Sequence, residues 1–91
     1  MSYASIDSII NEWVRARSLT LFKLYKESEV RAVDVVNQHG LRCQIWVDEP
    51  DSSGKVGVHA WDYKRKRNDY DVTIDRLSAC LDQAYNWCQT L

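Results

Sequence analysis

Residues 41–61 read LRCQIWVDEPDSSGKVGVHAW, and the periodicity of this stretch decides the fold. Leu41, Cys43, Ile45 and Val47 alternate with Arg42, Gln44, Trp46 and Asp48, the two-residue period of a strand with one buried face. EPDSSGK, residues 49–55, holds the only proline and one of three glycines, and reads as a hairpin loop. Val56, Val58 and Ala60 then alternate with Gly57, His59 and Trp61 in the returning strand. If the apolar set faces a core, alternation sends Arg42, Gln44, Trp46, Asp48, His59, Trp61 and Tyr63 to the opposite face. There the hairpin makes them cross-strand neighbours.

Upstream, Ile6, Ile9, Ile10, Trp13 and Val14 fall at helical spacing. They predict an amphipathic helix from about Ala4 to Arg17, with Ser2 or Ser5 as its cap. SLTLFKLYKES, residues 18–28, carries apolar residues at both parities and reads as a strand with both faces covered at least in part. EVRAVDVV, residues 29–36, is a second strand, and Gln38-His39-Gly40 is a turn in which glycine can take positive φ. Downstream, Ile74, Leu77, Leu81, Ala84, Tyr85 and Cys88 form the stripe of a closing helix. Asp71 or Thr73 is its expected cap, and Asp75 suits its positive end. The expected architecture is α+β in one domain, residues 1–91: a four-stranded antiparallel meander with the N-terminal and C-terminal helices on one face. Both helices should lie over Ile45 and Val58. Trp13 belongs to the core, and Trp87 falls at the edge of its helix stripe.

The leftover face holds the candidate site. Trp46, Trp61, Tyr63 and His59 form an aromatic cluster fringed by Arg42, Gln44 and Asp48, and Tyr70 is placed beside them from the following loop. An aromatic cluster with a polar rim is the composition of a binding hot spot, although cross-strand aromatic pairs also serve small sheets structurally. Charged residues flank it. Glu49 and Asp51 lie in the hairpin loop. Lys64, Arg65, Lys66 and Arg67 follow the last strand, as a solvated connection or a contact for phosphate.

Composition narrows the classes of function. The 91 residues carry 12 basic and 13 acidic side chains for a net charge of -1, whereas nucleic-acid binders carry an excess of lysine and arginine. Asp62, Asp69 and Asp71 also offset the basic run locally. No Gly-rich phosphate loop occurs, and neither histidine joins a nucleophile in a catalytic motif. No catalytic residue, metal site or cofactor is therefore expected. No apolar run approaches 18 residues and the opening MSYASIDSII lacks the form of a secretory signal, so a cytoplasmic protein without a membrane span is expected. Its three cysteines are expected to be reduced. Cys80 and Cys88, about 12 Å apart along a helix, cannot bridge each other. Cys43 can meet one of them only through the tertiary fold.

IINEWV in the first helix, the acidic-strand hairpin QIWVDEPDSSGKVGVHAWD and the closing LSACLDQAYNW together resemble the small immunity proteins of bacterial polymorphic-toxin and contact-dependent-inhibition systems, the TriTu-like group in particular. That resemblance implies a cytosolic antitoxin that neutralises a cognate toxin domain, often a nuclease, by tight one-to-one protein–protein interaction. It implies no cofactor and no catalysis, and assigns no individual residue. Asp48, Glu49 and Asp51 could then attract a basic toxin surface. An RNA-binding module using the aromatics and Lys64–Arg67 is the alternative, and a homodimeric regulatory subunit a third reading.

Overall fold

A computed structural model describes residues 2–91. Among them the chain forms helix α1 (Asp7–Ala16), strands β1 (Leu21–Tyr25), β2 (Ser28–Val36), β3 (Arg42–Val47), β4 (Lys55–Trp61) and β5 (Arg67–Thr73), a 3-10 turn at Ile74–Arg76, and helix α2 (Leu77–Gln89). The strands form one antiparallel sheet in sequence order. The α+β class and the two-helix layer match expectation, but the sheet has five strands where the sequence pattern indicated four.

The fifth strand hid in the charged segment after Lys66. Its outward residues Arg67, Asp69 and Asp71 resemble a loop by composition. They instead blunt an exposed sheet edge, which charged side chains protect from pairing with other chains. Its inward residues are Asn68, Tyr70 and Val72; Tyr70 pairs with Val58 and packs against the core. Tyr70 thus lies on the helix side, and its expected place on the aromatic face is corrected.

Ile45 and Val58 are almost wholly buried beneath the helices, as the alternation requires. Ile6, Val35, Val56, Leu77 and Leu81 complete the centre of the core, each such side chain contributing roughly 1.5–3 kcal/mol relative to exposure. Trp13 is buried and its indole N–H donates to Asp82 Oδ1 at 2.9 Å. That bond ties α1 to α2. Trp87 is half-buried at the core's margin.

Helix α1 is shorter than expected and neither serine caps it. Ile6 stands at the N-cap without a side-chain bond, and Ser2 Oγ instead accepts from the Ala4 N–H. Residues 3–6 form a turn, closed by the Ile6 and Asp7 N–H groups on the Tyr3 carbonyl. This turn directs Tyr3 under the buried Arg31 guanidinium, 4.3 Å from its ring. Arg31 in turn pairs with Asp7 at 2.7 Å and Glu29 at 2.8 Å. At the other end Ser18 takes φ 54°, while the Ser18 and Leu19 N–H groups bond to the Arg15 and Val14 carbonyls. This is the Schellman arrangement, which turns the chain off the helix toward β1. Helix α2 likewise lacks a side-chain cap: Asp71 belongs to β5, and the Thr73 hydroxyl bonds to Asp75 instead.

Two further features were not legible in the sequence. Cys43 of β3 and Cys88 of α2, both fully buried with Cα atoms 6.1 Å apart, are joined as a disulfide. The expectation of three free thiols is therefore corrected; only Cys80 is free, its thiol pKa pushed up by burial. The reason is topological: β3 runs beneath the last turns of α2, which spacing along the chain cannot reveal. Asn37 is buried at the β2–β3 turn. Its amide N–H groups reach the Cys88 and Leu91 carbonyls at 2.9 and 3.2 Å, and its oxygen accepts from the His39 and Leu41 N–H groups. The turn closes at Gly40, φ 77°, the positive value expected of it.

No helix among the described residues is long and apolar enough to cross a membrane.

Candidate functional site: the uncovered sheet face

Strand register arranges the face away from the helices into rows. One row runs Phe22, Ala32, Trp46, His59, Asp69 across all five strands. The next runs Asp34, Gln44, Trp61, Arg67 across the last four. Over the β2–β3 part of this face lies a groove of about 690 Å³. Trp46, Trp61 and Tyr63 bound it on one side, Phe22, Leu24 and Tyr25 on the other, with Val30 and Ala32 between.

The β1 wall is the part that the sequence pattern missed. Both faces of that strand were expected to be covered at least in part. Instead Phe22 is 47% exposed, Leu24 69% and Tyr25 62%. The strand order explains the error: β1 is the sheet's edge, and the pattern of one strand does not reveal how far the helices reach. The β1–β2 hairpin turns through Lys26 and Glu27, with φ values of 47° and 67°. Both are left-handed, as a two-residue type I′ turn requires, without the usual Asn-Gly.

Tyr63 makes the lip at one end. Its backbone takes φ 66°, a conformation that costs a non-glycine residue about 1–2 kcal/mol. Its hydroxyl donates to Asp34 on β2, and its ring lies 4.7 Å from Trp61. Arg42 bonds the same carboxylate at 2.7 Å and holds its guanidinium 5.3 Å from the Tyr63 ring. Burial and the Asp34 carboxylate push the Tyr63 phenol up to about 12. Burial pulls Asp34 upward, but Tyr63 and Arg42 outweigh it and its pKa lies below the usual carboxylate value.

His59 backs the Trp46 wall. The two rings stack at 4.8 Å with an interplanar angle of 22°. His59 Nε2 meets Asp48 Oδ2 at 2.7 Å and Nδ1 meets Asp69 Oδ1 at 2.6 Å. The two ring nitrogens each face a carboxylate, an arrangement that favours the doubly protonated ring, a cation in which both nitrogens donate. Burial opposes that charge, but both carboxylates outweigh it and raise the His59 pKa. The His59 and Arg67 hydrogen bonds hold Asp69 below the usual carboxylate range. Gly57 makes room for the cluster: a Cβ there would stand 2.5 Å from Asp48 Oδ2. Arg67 bonds Asp69 at 2.8 Å and places its guanidinium 5.2 Å from the Trp46 ring.

Of the residues expected at the site, Arg42, Gln44, Trp46, Asp48, Trp61 and Tyr63 line the groove, and His59 stands behind Trp46. Glu49 is exposed just beyond β3. Asp51 is occupied within its loop, accepting from the Ser53 hydroxyl and from the Ser53 and Lys55 N–H groups. Lys64, Arg65 and Lys66 are exposed in the β4–β5 turn, whose backbone is held by the Asp62 carboxylate. Arg67 separates from them onto the sheet face. No three His, Cys, Asp or Glu side chains among the described residues are arranged to hold a metal ion.

No family model, curated protein or solved structure matches this chain.

Proposed function

We propose that this chain is a protein-binding domain and that the uncovered sheet face seats its partner. The observation that carries this reading is the β1 wall of the groove: three large apolar side chains stand in water opposite an aromatic wall already held in place. Exposed apolar surface around a preformed concavity suits partner docking, because burial on binding recovers the hydrophobic free energy at little cost in ordering. The carboxylates of the groove do not act as isolated charges. Asp34 is taken by Tyr63 and Arg42, and Asp48 by His59. The centre of the site is apolar and the rim is charged, the usual anatomy of an interface.

The finer reading follows the resemblance of the helix, hairpin and closing-helix segments. The domain acts as an immunity protein that occludes a cognate toxin domain, with the exposed Glu49 drawing in a basic toxin surface. The second reading, single-stranded RNA binding, draws on one observation: Lys64, Arg65 and Lys66 are exposed together beside Trp61 and Tyr63. The net charge of -1 weighs against a phosphate-binding role.

The test is calorimetric titration with any toxin domain found encoded beside this gene, and with a fluorescent oligonucleotide in parallel. A one-to-one protein complex is expected. Trp61→Ala should weaken it by about 2 kcal/mol, roughly thirtyfold, if Trp61 is a hot spot, with a much smaller change in urea midpoint. Lys64→Gln with Lys66→Gln should alter association rate more than dissociation rate. Oligonucleotide binding that falls steeply with salt, without toxin binding, would select the RNA reading.

A further inference from the structure

The row Phe22, Ala32, Trp46 places a small residue between two large aromatic ones. The Phe22 and Trp46 backbones are two interstrand spacings apart, about 10 Å. Apolar groups in contact are separated by about 3.5–4 Å. Rings standing upright on strands at this spacing would hold one flat group between them. All three residues line the groove.

The two walls differ in rigidity. Trp46 is held from the β4–β5 side by His59, itself fixed by Asp48 and Asp69, and by the Arg67 guanidinium. Phe22 is 47% exposed on the edge strand and can close against an occupant. A fixed wall, a small floor residue and an adjustable wall together make a clamp.

Charge selects what the clamp takes. Arg67 lies 5.2 Å from the Trp46 ring, and Arg42 and Arg31 also border the groove. A cationic occupant would find no free carboxylate among the described residues of the groove, since Asp34 is engaged by Tyr63 and Arg42 and Asp48 by His59. An anionic occupant, or a base carrying its phosphate, would find no free cation there either, since Arg42 is engaged by Asp34, Arg31 by Asp7 and Glu29, and Arg67 by Asp69. A neutral ring avoids both penalties.

We propose that the slot above Ala32 receives one uncharged aromatic side chain of the protein partner, clamped between Phe22 and Trp46. This inference rests on the open face being a protein-docking surface and specifies the anchor that such a partner must carry. Ala32→Leu would fill the slot, and Phe22→Ala would remove its outer wall at a position the fold leaves half in water.

The experiment is heteronuclear NMR titration of the whole domain with indole and with 4-methylphenol, the Trp and Tyr side chains as free molecules. Adenosine and ethylguanidinium serve as comparison probes. Saturable shifts are expected at the Phe22, Ala32 and Trp46 amides, with affinity reduced about tenfold or more in both variants, as apolar pockets respond to lost or filled contact. The proposal is overturned if neither arene gives saturable shifts, if Phe22→Ala and Ala32→Leu bind them unchanged, or if adenosine or ethylguanidinium binds more tightly. Should Ala32→Leu lose its native spectrum, Phe22→Ala decides alone. The slot and the docking surface can fail separately. Arene binding without any protein complex removes the docking reading. A toxin complex sensitive to Trp61→Ala but unaffected by Ala32→Leu and Phe22→Ala removes the slot.

Discussion

Changing Tyr63 to Phe deletes a single oxygen from the lip of the groove and leaves its ring against Trp61. The lost interaction is the hydroxyl's bond to Asp34, a carboxylate whose side chain is 22% exposed and which keeps Arg42 as a partner. A shift of the phenol from 10 to about 12 would correspond to about 2.7 kcal/mol if it reported stability in full. The site is partly open to water, so solvent screening reduces this to about 1 kcal/mol. For a domain of 91 residues that is a fall of roughly 4–8 °C in melting temperature. The sign of the pH dependence is fixed. The folded state holds the phenolic proton more tightly than the unfolded chain, so the contribution is complete below about pH 10 and disappears as pH rises through about 12. The assay is urea unfolding of wild type, Tyr63→Phe, Asp34→Ala and the double variant, repeated across that alkaline range. The cycle should give a coupling energy near 1 kcal/mol, and wild type should lose more stability above pH 10 than Tyr63→Phe. An unchanged melting temperature, zero coupling and parallel alkaline profiles would together refute the role given to this lip.

Three further outcomes are expected. His59→Gln removes the cation between Asp48 and Asp69. The raised His59 pKa makes its contribution complete below about pH 6.5 and lost as pH rises through the higher folded value. Wild type should therefore lose urea resistance on the alkaline side of that point while the variant stays flatter; identical profiles would reject the imidazolium. Asn37→Ala strips partners from a buried turn and from the C-terminal end of α2, and should cost about 2–4 kcal/mol in urea unfolding; a cost under about 0.5 kcal/mol, typical of an unremarkable surface change, would mean the turn holds without it. Protein unfolded without reductant should titrate as one thiol, Cys80, and as three after reduction. Loss of the Cys43–Cys88 closure should cost about 4 kcal/mol by the loop-entropy relation; three reactive thiols before reduction would show the bond does not form.

The two-residue period of residues 42–47 and 55–61 determined, without help, which side chains share a face. Packing against the helices requires an apolar set, and a slip of one residue would invert the whole strand. That is why Ile45 and Val58 fall in the core and why Trp46 and Trp61 fall on the opposite face. Helical spacing located both helices, since apolar stripes at that period have few other ways to be buried. The end points escaped, because they depend on local competition: Tyr3 is drawn under Arg31 and shortens α1, and Asp71 joins a strand rather than a cap. The fifth strand escaped because an edge strand must look polar to avoid aggregation. Tertiary structure alone decided the rest. Which strand lies at the edge set the exposure of Phe22, Leu24 and Tyr25. Register across three strands set Phe22 and Trp46 on either side of Ala32. The crossing of α2 over β3 brought Cys88 to Cys43. Each of these is a relation between residues distant along the chain, and periodicity within a segment records only which way a side chain faces, not what it meets there.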